Sequence, residues 1–388
     1  FYSLLSKTFM YVAIPKELNS LEPRVAATPN SVKQIVKSGL NVYVESGAGI
    51  KSFISDDAYQ NSGATIIKSS KELLSNADIT LKVLPPSNEE IDLLKEKSVF
   101  ISLCQTTREL ETVKSLTKKK ISAFSMHLIP RTTLAQKMDA LSSQANIAGY
   151  KAVLIAASRL GVYMPLLMTA AGTIRPSKVL ILGAGVAGLQ AIATAKRLGA
   201  QVEAFDVRPV VKEQVESLGA KFIEVESESE DGVGEGGYAK ETSEDYKKKQ
   251  QELIHEHISK SDAVITTALI PGKPAPILIP TSMVESMKPG SVIMDLASEN
   301  GGNCELTQKD EIVNHNQIII DGTSNLPGTM PVHASELYSK NVAAFLTYMV
   351  KDGQLNLDLE DEIISGALYS HNSEITHVPT KESLDKEK

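Results

Sequence analysis

The chain lacks most features that would tie it to an oxidising compartment, a metal or a bilayer. It has two cysteines in 388 residues, Cys104 and Cys304, far apart in sequence. There is no Cys-x-x-Cys pair and no His/Cys cluster at zinc-ligand spacing, which excludes a disulfide framework and a structural zinc finger. The one close histidine pair, His255 and His257, falls in a polar stretch and reads as exposed. No run of 18 apolar residues occurs, so no segment spans a bilayer by itself. Basic residues are not in excess: 40 Lys and Arg face 47 Asp and Glu, a net charge of -7. Nucleic-acid binding needs a concentrated basic face, so it is not the main function, although a local basic patch is compatible with these counts. No repeat with a period of 20–50 residues is apparent.

What is present suits a folded protein of two domains. The chain is 42% hydrophobic and 22% charged, well away from the disordered class. Residues 1–9 are slightly basic, carry Ser and Thr and lack acids. They read as a linker from a longer polypeptide or an expression end, ahead of a processed targeting remnant. Residues 10–14 (MYVAI) and 41–45 (NVYVE) read as strands, with a helix over 29–39 ending at Gly39. Residues 77–84 and 98–103 are two more strand-like runs. Strands alternating with helices imply a parallel sheet with crossovers. A long helix is expected over about 138–160, able to bridge two domains. A second alternating set follows from 178 to about 321, and a helix around 334–350. Residues 376–388 are charged and read as a loose tail. One stretch breaks the pattern: residues 224–250 are acidic, glycine-rich and almost free of aliphatics, the composition of a lid, a binding loop or a disordered insert.

Residues 178–189 (KVLILGAGVAGL) carry the first chemistry. An apolar strand runs into Gly183-x-Gly185-x-x-Gly188, and a helix continues beyond it. Gly183 allows the tight turn, Gly185 lets the backbone approach a pyrophosphate, and Gly188 lets helix and strand pack closely. The helix N-terminus then faces the phosphates. A second strand, residues 201–205, ends at Asp206, an acid placed to accept from the ribose 2′-hydroxyl. These parts together predict a Rossmann βαβ unit that binds NAD. An acid there repels a 2′-phosphate, which favours NAD over NADP, and the neighbouring Arg208 weakens that preference.

Residues 129–150 (IPRTTLAQKMDALSSQANIAGY) form a second constellation. Gln136, Asp139 and Ser142 are three apart and are expected to share a face at the start of a helix. Arg131 is placed to pair with Asp139 across the turn. Spacing alone fits helix capping plus a surface ion pair at least as well as a ligand site.

This segment closely resembles the nicotinamide-binding loop of the proton-translocating NAD(P) transhydrogenase, in its peripheral NAD(H)-binding domain. Further segments carry the same resemblance: VAIPKE at 12–17, GAGVAGLQAIATAKRLGA at 183–200, DVR at 206–208, GGYAKE at 236–241, TALIPGKPAP at 267–276 and DLASENGGNCE at 295–305. It extends over about residues 10–350. The resemblance implies that Arg131, Gln136, Asp139 and Ser142 hold the nicotinamide end. It makes Asp206 the ribose acid and sets Val186, Val207 and Arg208 against the dinucleotide. Gly237 and Tyr238 match a mobile loop that closes over NAD(H), Gln250 lies just beyond it, and Leu269 matches a contact after a later strand.

The implied fold is α/β: two Rossmann-like domains with parallel sheets separated by an NAD-binding cleft. Residues 1–140 with 330–388 would make the first domain, and 141–329 the second. The implied function is hydride transfer from NADH to NADP⁺ on a partner domain, coupled to proton movement by a membrane domain outside this chain. The family also implies a homodimer, and a chain peripheral to a membrane on its cytoplasmic or mitochondrial-matrix side without inserting into it. The start without Met leans towards a piece of a fused polypeptide.

Alanine dehydrogenase shares this architecture and is the rival reading. Arg24 and Lys82 match its carboxylate-binding arginine and its lysine. Where its catalytic histidine is expected, the chain has Leu103 and Cys104. Glu299-Asn300 stands before Gly301-Gly302 where an aspartate is expected. Reducing an imino or keto acid needs a positioned general acid, whereas hydride passage between two nicotinamides moves no proton at the reacting carbons. A non-catalytic NAD-binding module is the third reading. A module that only senses NAD has no need to orient the nicotinamide ring.

Overall fold

The structure is a computed structural model that describes residues 10–225, 244–270 and 273–386. It divides into two compact units, residues 1–144 with 328–388 and residues 145–327. The helix Ala140–Arg159 carries the chain from one unit into the other.

In the first unit six strands run parallel: β1 (Tyr11–Ile14), β2 (Asn41–Glu45), β3 (Thr65–Ile67), β4 (Ile79–Leu81), β5 (Val99–Ser102) and β6 (Ser122–Ser125). Their spatial order is β3-β2-β1-β4-β5-β6, the doubly wound order of a dinucleotide-binding sheet. The strands Leu368–His371 and Glu374–Ile375 extend it antiparallel beyond β6. Alternate residues of β5 serve opposite faces: Val99 and Ile101 enter one core and Phe100 the other.

The second unit opens with a two-stranded antiparallel ribbon, β7 (Leu167–Thr169) and β8 (Gly172–Ile174). Its main sheet contains β9 (Lys178–Leu182), β10 (Gln201–Phe205), β11 (Lys221–Ile223), β12 (Ala263–Thr266), β13 (Val292–Asp295), β14 (Ile312–His315) and β15 (Ile318–Asp321). The order is β11-β10-β9-β12-β13-β15-β14, parallel except for β14. The continuous apolar run of β9 is explained by burial on both faces. Val179 and Ile181 enter one core, and Leu180 and Leu182 the other. Each such side chain stabilises the fold by about 1.5–3 kcal/mol.

Two polar segments differ from their sequence reading. Within residues 376–388, Val378–Lys386 is a helix. Thr380 is fully buried and donates to Thr106 Oγ1 at 2.7 Å, and Leu384 is also buried. Two inward residues in a charged segment give too faint a period to read. In the stretch 224–250, the end belongs to the helix Glu244–Ile258, with Gln250 buried in it. Residues 226–243, including Gly237 and Tyr238, lie outside the described residues. The histidine pair also separates on this helix. His255 is exposed, while His257 turns inward and its Nδ1 lies 2.6 Å from Glu203 Oε2.

Candidate functional site

In the second unit the sheet order reverses between β9 and β12, and ligands of open α/β sheets bind beyond the strand ends at such a reversal. Three segments meet there. The glycine turn follows β9, Asp206 follows β10, and Thr267–Leu269 follows β12. Gly183 N donates to Phe205 O at 2.8 Å, and Thr267 Oγ1 donates to Gly183 O at 3.0 Å. The loop after β12 is pinned by Asn303, which is fully buried. Its Oδ1 accepts from Ala268 N at 3.0 Å and its Nδ2 donates to Ala268 O at 2.9 Å. Leu269 follows as an exposed apolar side chain.

The three glycines differ in what requires them. Gly183 has φ +102°, and a Cβ there would stand 2.5 Å from Thr267 Oγ1. A Cβ on Gly188 would stand 1.8 Å from Gly183 O, so helix and strand touch backbone to backbone. Gly185 has φ −77°, open to any residue. Beyond its chain neighbours, the one heavy atom within 4 Å of a Cβ at Gly185 is Arg208 Nη2, at 4.0 Å. Neither backbone strain nor packing explains this glycine, and the space it leaves fits the approach of a pyrophosphate.

The helix Val186–Arg197 starts at Gly185 with no side-chain cap and no acid in its first turn, and ends with Lys196 and Arg197. Its N-terminal amides and dipole therefore suit an anion. Val186 is exposed at that end, and Val207 packs partly against the core under the sheet. The long helix abuts the same turn. A Cβ on Gly149 would lie 2.0 Å from Ala187 O, a contact that sequence spacing does not reveal.

Asp206 is nearly buried and strongly engaged. Its Oδ2 accepts from Ala184 N at 2.7 Å and from Arg208 Nη2 at 2.8 Å. Its Oδ1 accepts from Arg208 N and Arg208 Nε, each at 2.9 Å.

In the first unit, Leu134–Met138 forms a 3-10 turn. Ala135 and Met138, three apart, face the core, while Arg131 and Gln136 are exposed. Asn341 pins the segment by donating to Lys137 O at 2.9 Å and accepting from Ser143 Oγ at 2.8 Å. Asp139 interrupts the helical path with ψ 85°. Its carboxylate accepts from Ser142 N at 2.9 Å and Ser142 Oγ at 2.6 Å, capping the helix that follows. The expected shared face therefore holds for Asp139 and Ser142. Gln136 lies on the preceding turn, because spacing of three ignores the break at Asp139.

Arg24 and Lys82 are buried in ion pairs of the first unit. Arg24 Nε and Nη2 each donate to Glu22 at 2.7 Å, and Nη1 donates to Gln144 Oε1 at 2.9 Å. Lys82 Nζ lies 2.7 Å from both Glu90 oxygens and 3.6 Å from Glu17 Oε2. Burial pushes the Glu17 carboxyl up to about 7, with Lys82 opposing, and Glu17 Oε2 has no hydrogen-bond partner. His127 is held neutral, pushed down to about 4 by desolvation and then by the charge of Arg24. Glu22, Glu90 and Gln144 do not stand out in the sequence as site residues. The Ser87-x-x-Glu90 capping box is a readable signal for one of them. Among the described residues no cluster of His, Cys, Asp and Glu is arranged to hold a metal ion.

Comparison with known proteins agrees with this arrangement. The family model described as "Alanine dehydrogenase/PNT, N-terminal domain" matches residues 13–148, and "Alanine dehydrogenase/PNT, C-terminal domain" matches residues 152–378. The chain belongs to the alanine dehydrogenase/PNT family. It is 48% identical over 376 residues to an NAD(P) transhydrogenase subunit alpha protein of Rhodospirillum rubrum, covering 95% of this chain and 98% of that protein. A solved structure, the crystal structure of transhydrogenase from Sinorhizobium meliloti, is 44% identical with a TM-score of 0.85, covering 94% of this chain and 99% of that one. Alanine dehydrogenase of Methanococcus maripaludis is 27% identical over 387 residues, covering 97% of each. Within the family the chain thus sides with the transhydrogenase alpha subunits, and it is an oxidoreductase with a Rossmann-like nucleotide-binding fold.

Proposed function

We propose that this chain is the NAD(H)-binding component of an NAD(P) transhydrogenase, passing hydride from NADH to NADP⁺ held by a partner domain. The observation that carries the nucleotide half of this reading is Gly185, whose missing side chain serves neither fold nor packing. In this reading the glycine turn and the uncapped helix end take the pyrophosphate, and Asp206 reads the ribose. Val186, Val207, Arg208, Gln250 and Leu269, with Gly237 and Tyr238, complete the contacts. Arg131 and Gln136 hold the nicotinamide end, on a segment kept in place by the Asp139–Ser142 cap. That last assignment rests on the sequence resemblance.

The chemistry favours a nicotinamide as the hydride acceptor. The bound dinucleotide supplies the hydride, and transfer needs alignment of the two rings to about 3–3.5 Å. No proton donor is required at the reacting carbons. The first unit is consistent with that. Leu103 and Cys104 stand where a dehydrogenase needs an imidazole, His127 is neutral, and Arg24 and Lys82 are committed to internal carboxylates. In the same reading NADP(H) and the proton path belong to partner domains, one of them in the membrane. The chain would work as a homodimer peripheral to that membrane. Among the described residues no helix is long and apolar enough to cross it.

The test mixes the purified chain with an NADP(H)-binding domain of a transhydrogenase and follows hydride exchange with a nicotinamide analogue. Exchange that requires both proteins is expected. Bound NADH without exchange would leave a non-catalytic module. Alanine-dependent NADH production would restore the dehydrogenase reading.

A further inference from the structure

We propose that Arg208 is a movable counter-ion that sets how strongly this chain prefers NAD(H) over NADP(H). The inference rests on the NAD(H) reading above and adds a residue-level account of its selectivity. A carboxylate has about four lone-pair sites. In Asp206 all four are taken, one by Ala184 N and three by Arg208 through its amide, Nε and Nη2. The carboxylate therefore has no acceptor left for a ribose diol while Arg208 keeps this conformation.

The ribose must displace some of this set. The two amides belong to the fixed backbone of the glycine turn and of the chain beyond β10. The guanidinium is on a long side chain and is the group able to leave. Pro209 holds the Arg208 backbone extended, at φ −96° and ψ 109°, so the side chain turns without unwinding the strand end. Arg208 Nη2 is also the atom nearest the open space at Gly185. The guanidinium thus stands between the ribose acid and the phosphate seat.

The consequence for selectivity has a definite sign. With NADH, the diol replaces Nε and Nη2 on Asp206, a neutral-for-charged exchange. With NADPH, the 2′-phosphate meets the negative Asp206 and the displaced guanidinium pairs with it instead, bidentately. Arg208 therefore weakens the barrier that Asp206 raises against NADPH. A chain without Arg208 is more selective for NADH than the natural one.

The experiment measures equilibrium binding of NADH and of NADPH to the full chain and to Arg208→Gln, Arg208→Lys, Asp206→Asn and the double variant Asp206→Asn/Arg208→Gln. A hydrogen bond to a charged group typically contributes enough to change affinity about tenfold or more. Arg208→Gln is expected to widen the NADH-over-NADPH preference about tenfold, with Arg208→Lys in between. Asp206→Asn is expected to narrow it, and that gain in NADPH binding is lost in the double variant, a coupling that a merely structural role would not produce. An unchanged or narrower preference in Arg208→Gln, with NADH still bound, overturns the role of Arg208 and leaves the NAD(H) reading intact. Failure of the natural chain to bind NADH overturns both.

Discussion

Alanine substitution at Gly185 and at Gly188 separates a glycine kept for a ligand from one kept for the fold. At Gly188 the added Cβ would stand 1.8 Å from Gly183 O, where ordinary contact begins at 3.4 Å. The obstacle is backbone at the centre of the sheet, so relief requires the helix Val186–Arg197 to move by more than an ångström. Overpacking of this kind costs about 1–3 kcal/mol, occasionally more, and an immovable backbone obstacle puts this site at the upper end. For a domain of this size each kilocalorie lowers Tm by about 2–4 °C, so Gly188→Ala is expected to melt about 6–12 °C lower. At Gly185 the same Cβ enters open space at an ordinary φ of −77°. Lost chain entropy in the unfolded state favours alanine there, and the poorer N-cap opposes it, each by about 0.5 kcal/mol. The net change in Tm is within about 2 °C. Binding responds in the opposite way, because the methyl occupies the pyrophosphate approach. Gly185→Ala is expected to weaken NADH binding at least about tenfold, or about 1.4 kcal/mol. Thermal unfolding by circular dichroism gives the first quantity. Nicotinamide fluorescence gives the second, undisturbed by tryptophan because the chain has none. Wild-type NADH affinity in Gly185→Ala would refute the ligand role, as would a loss of stability matching Gly188→Ala.

Further outcomes follow from the two other clusters. Gln136→Asn shortens an exposed side chain and is expected to leave NADH affinity within about twofold while slowing hydride transfer; lost affinity at unchanged turnover would contradict its assigned role. Lys82→Met leaves Glu90 and Glu17 buried without their cation, and the expected cost is about 3–5 kcal/mol in urea unfolding, with NADH binding retained in the folded fraction. Glu17 is raised from 4.5 to about 7, so its folded form holds a proton that the unfolded form releases. A raised carboxyl contributes stability that is present below pH 4.5 and lost as pH rises through about 7. Glu17→Gln should therefore gain stability over the natural chain across that window, by up to about 3 kcal/mol at about pH 8. A difference that stays flat with pH would show that Glu17 is ionised throughout.

The elements legible in the sequence were those whose side chains repeat a simple pattern. β9 read as a strand because both of its faces are buried, and the glycines after it read as a turn because one needs positive φ and another close contact. The first sheet was legible as alternating elements, but its antiparallel extension at Leu368–His371 was not, since nothing local marks a strand that pairs across about 250 residues of chain. The helix Glu244–Ile258 was hidden by polarity, with few inward residues among many charges. The face shared by Gln136, Asp139 and Ser142 failed at Asp139, where a capping side chain ends one turn and begins the next helix. The neutralisation of Arg24 depends on Gln144, 120 residues away, and no spacing rule reaches that far.

The central claim is that the hydride acceptor is a second nicotinamide and not a small keto or imino acid. Isotope transfer tests it most directly. NADH carrying deuterium at C4 is incubated with the chain, an NADP(H)-binding domain and NADP⁺, and the NADPH formed is analysed by mass spectrometry. The account predicts that the deuterium is recovered at C4 of NADPH without dilution by solvent protons, and that omitting either protein abolishes transfer. NADPH lacking the label, or deuterium passed to pyruvate with ammonium in the absence of the second protein, would contradict it.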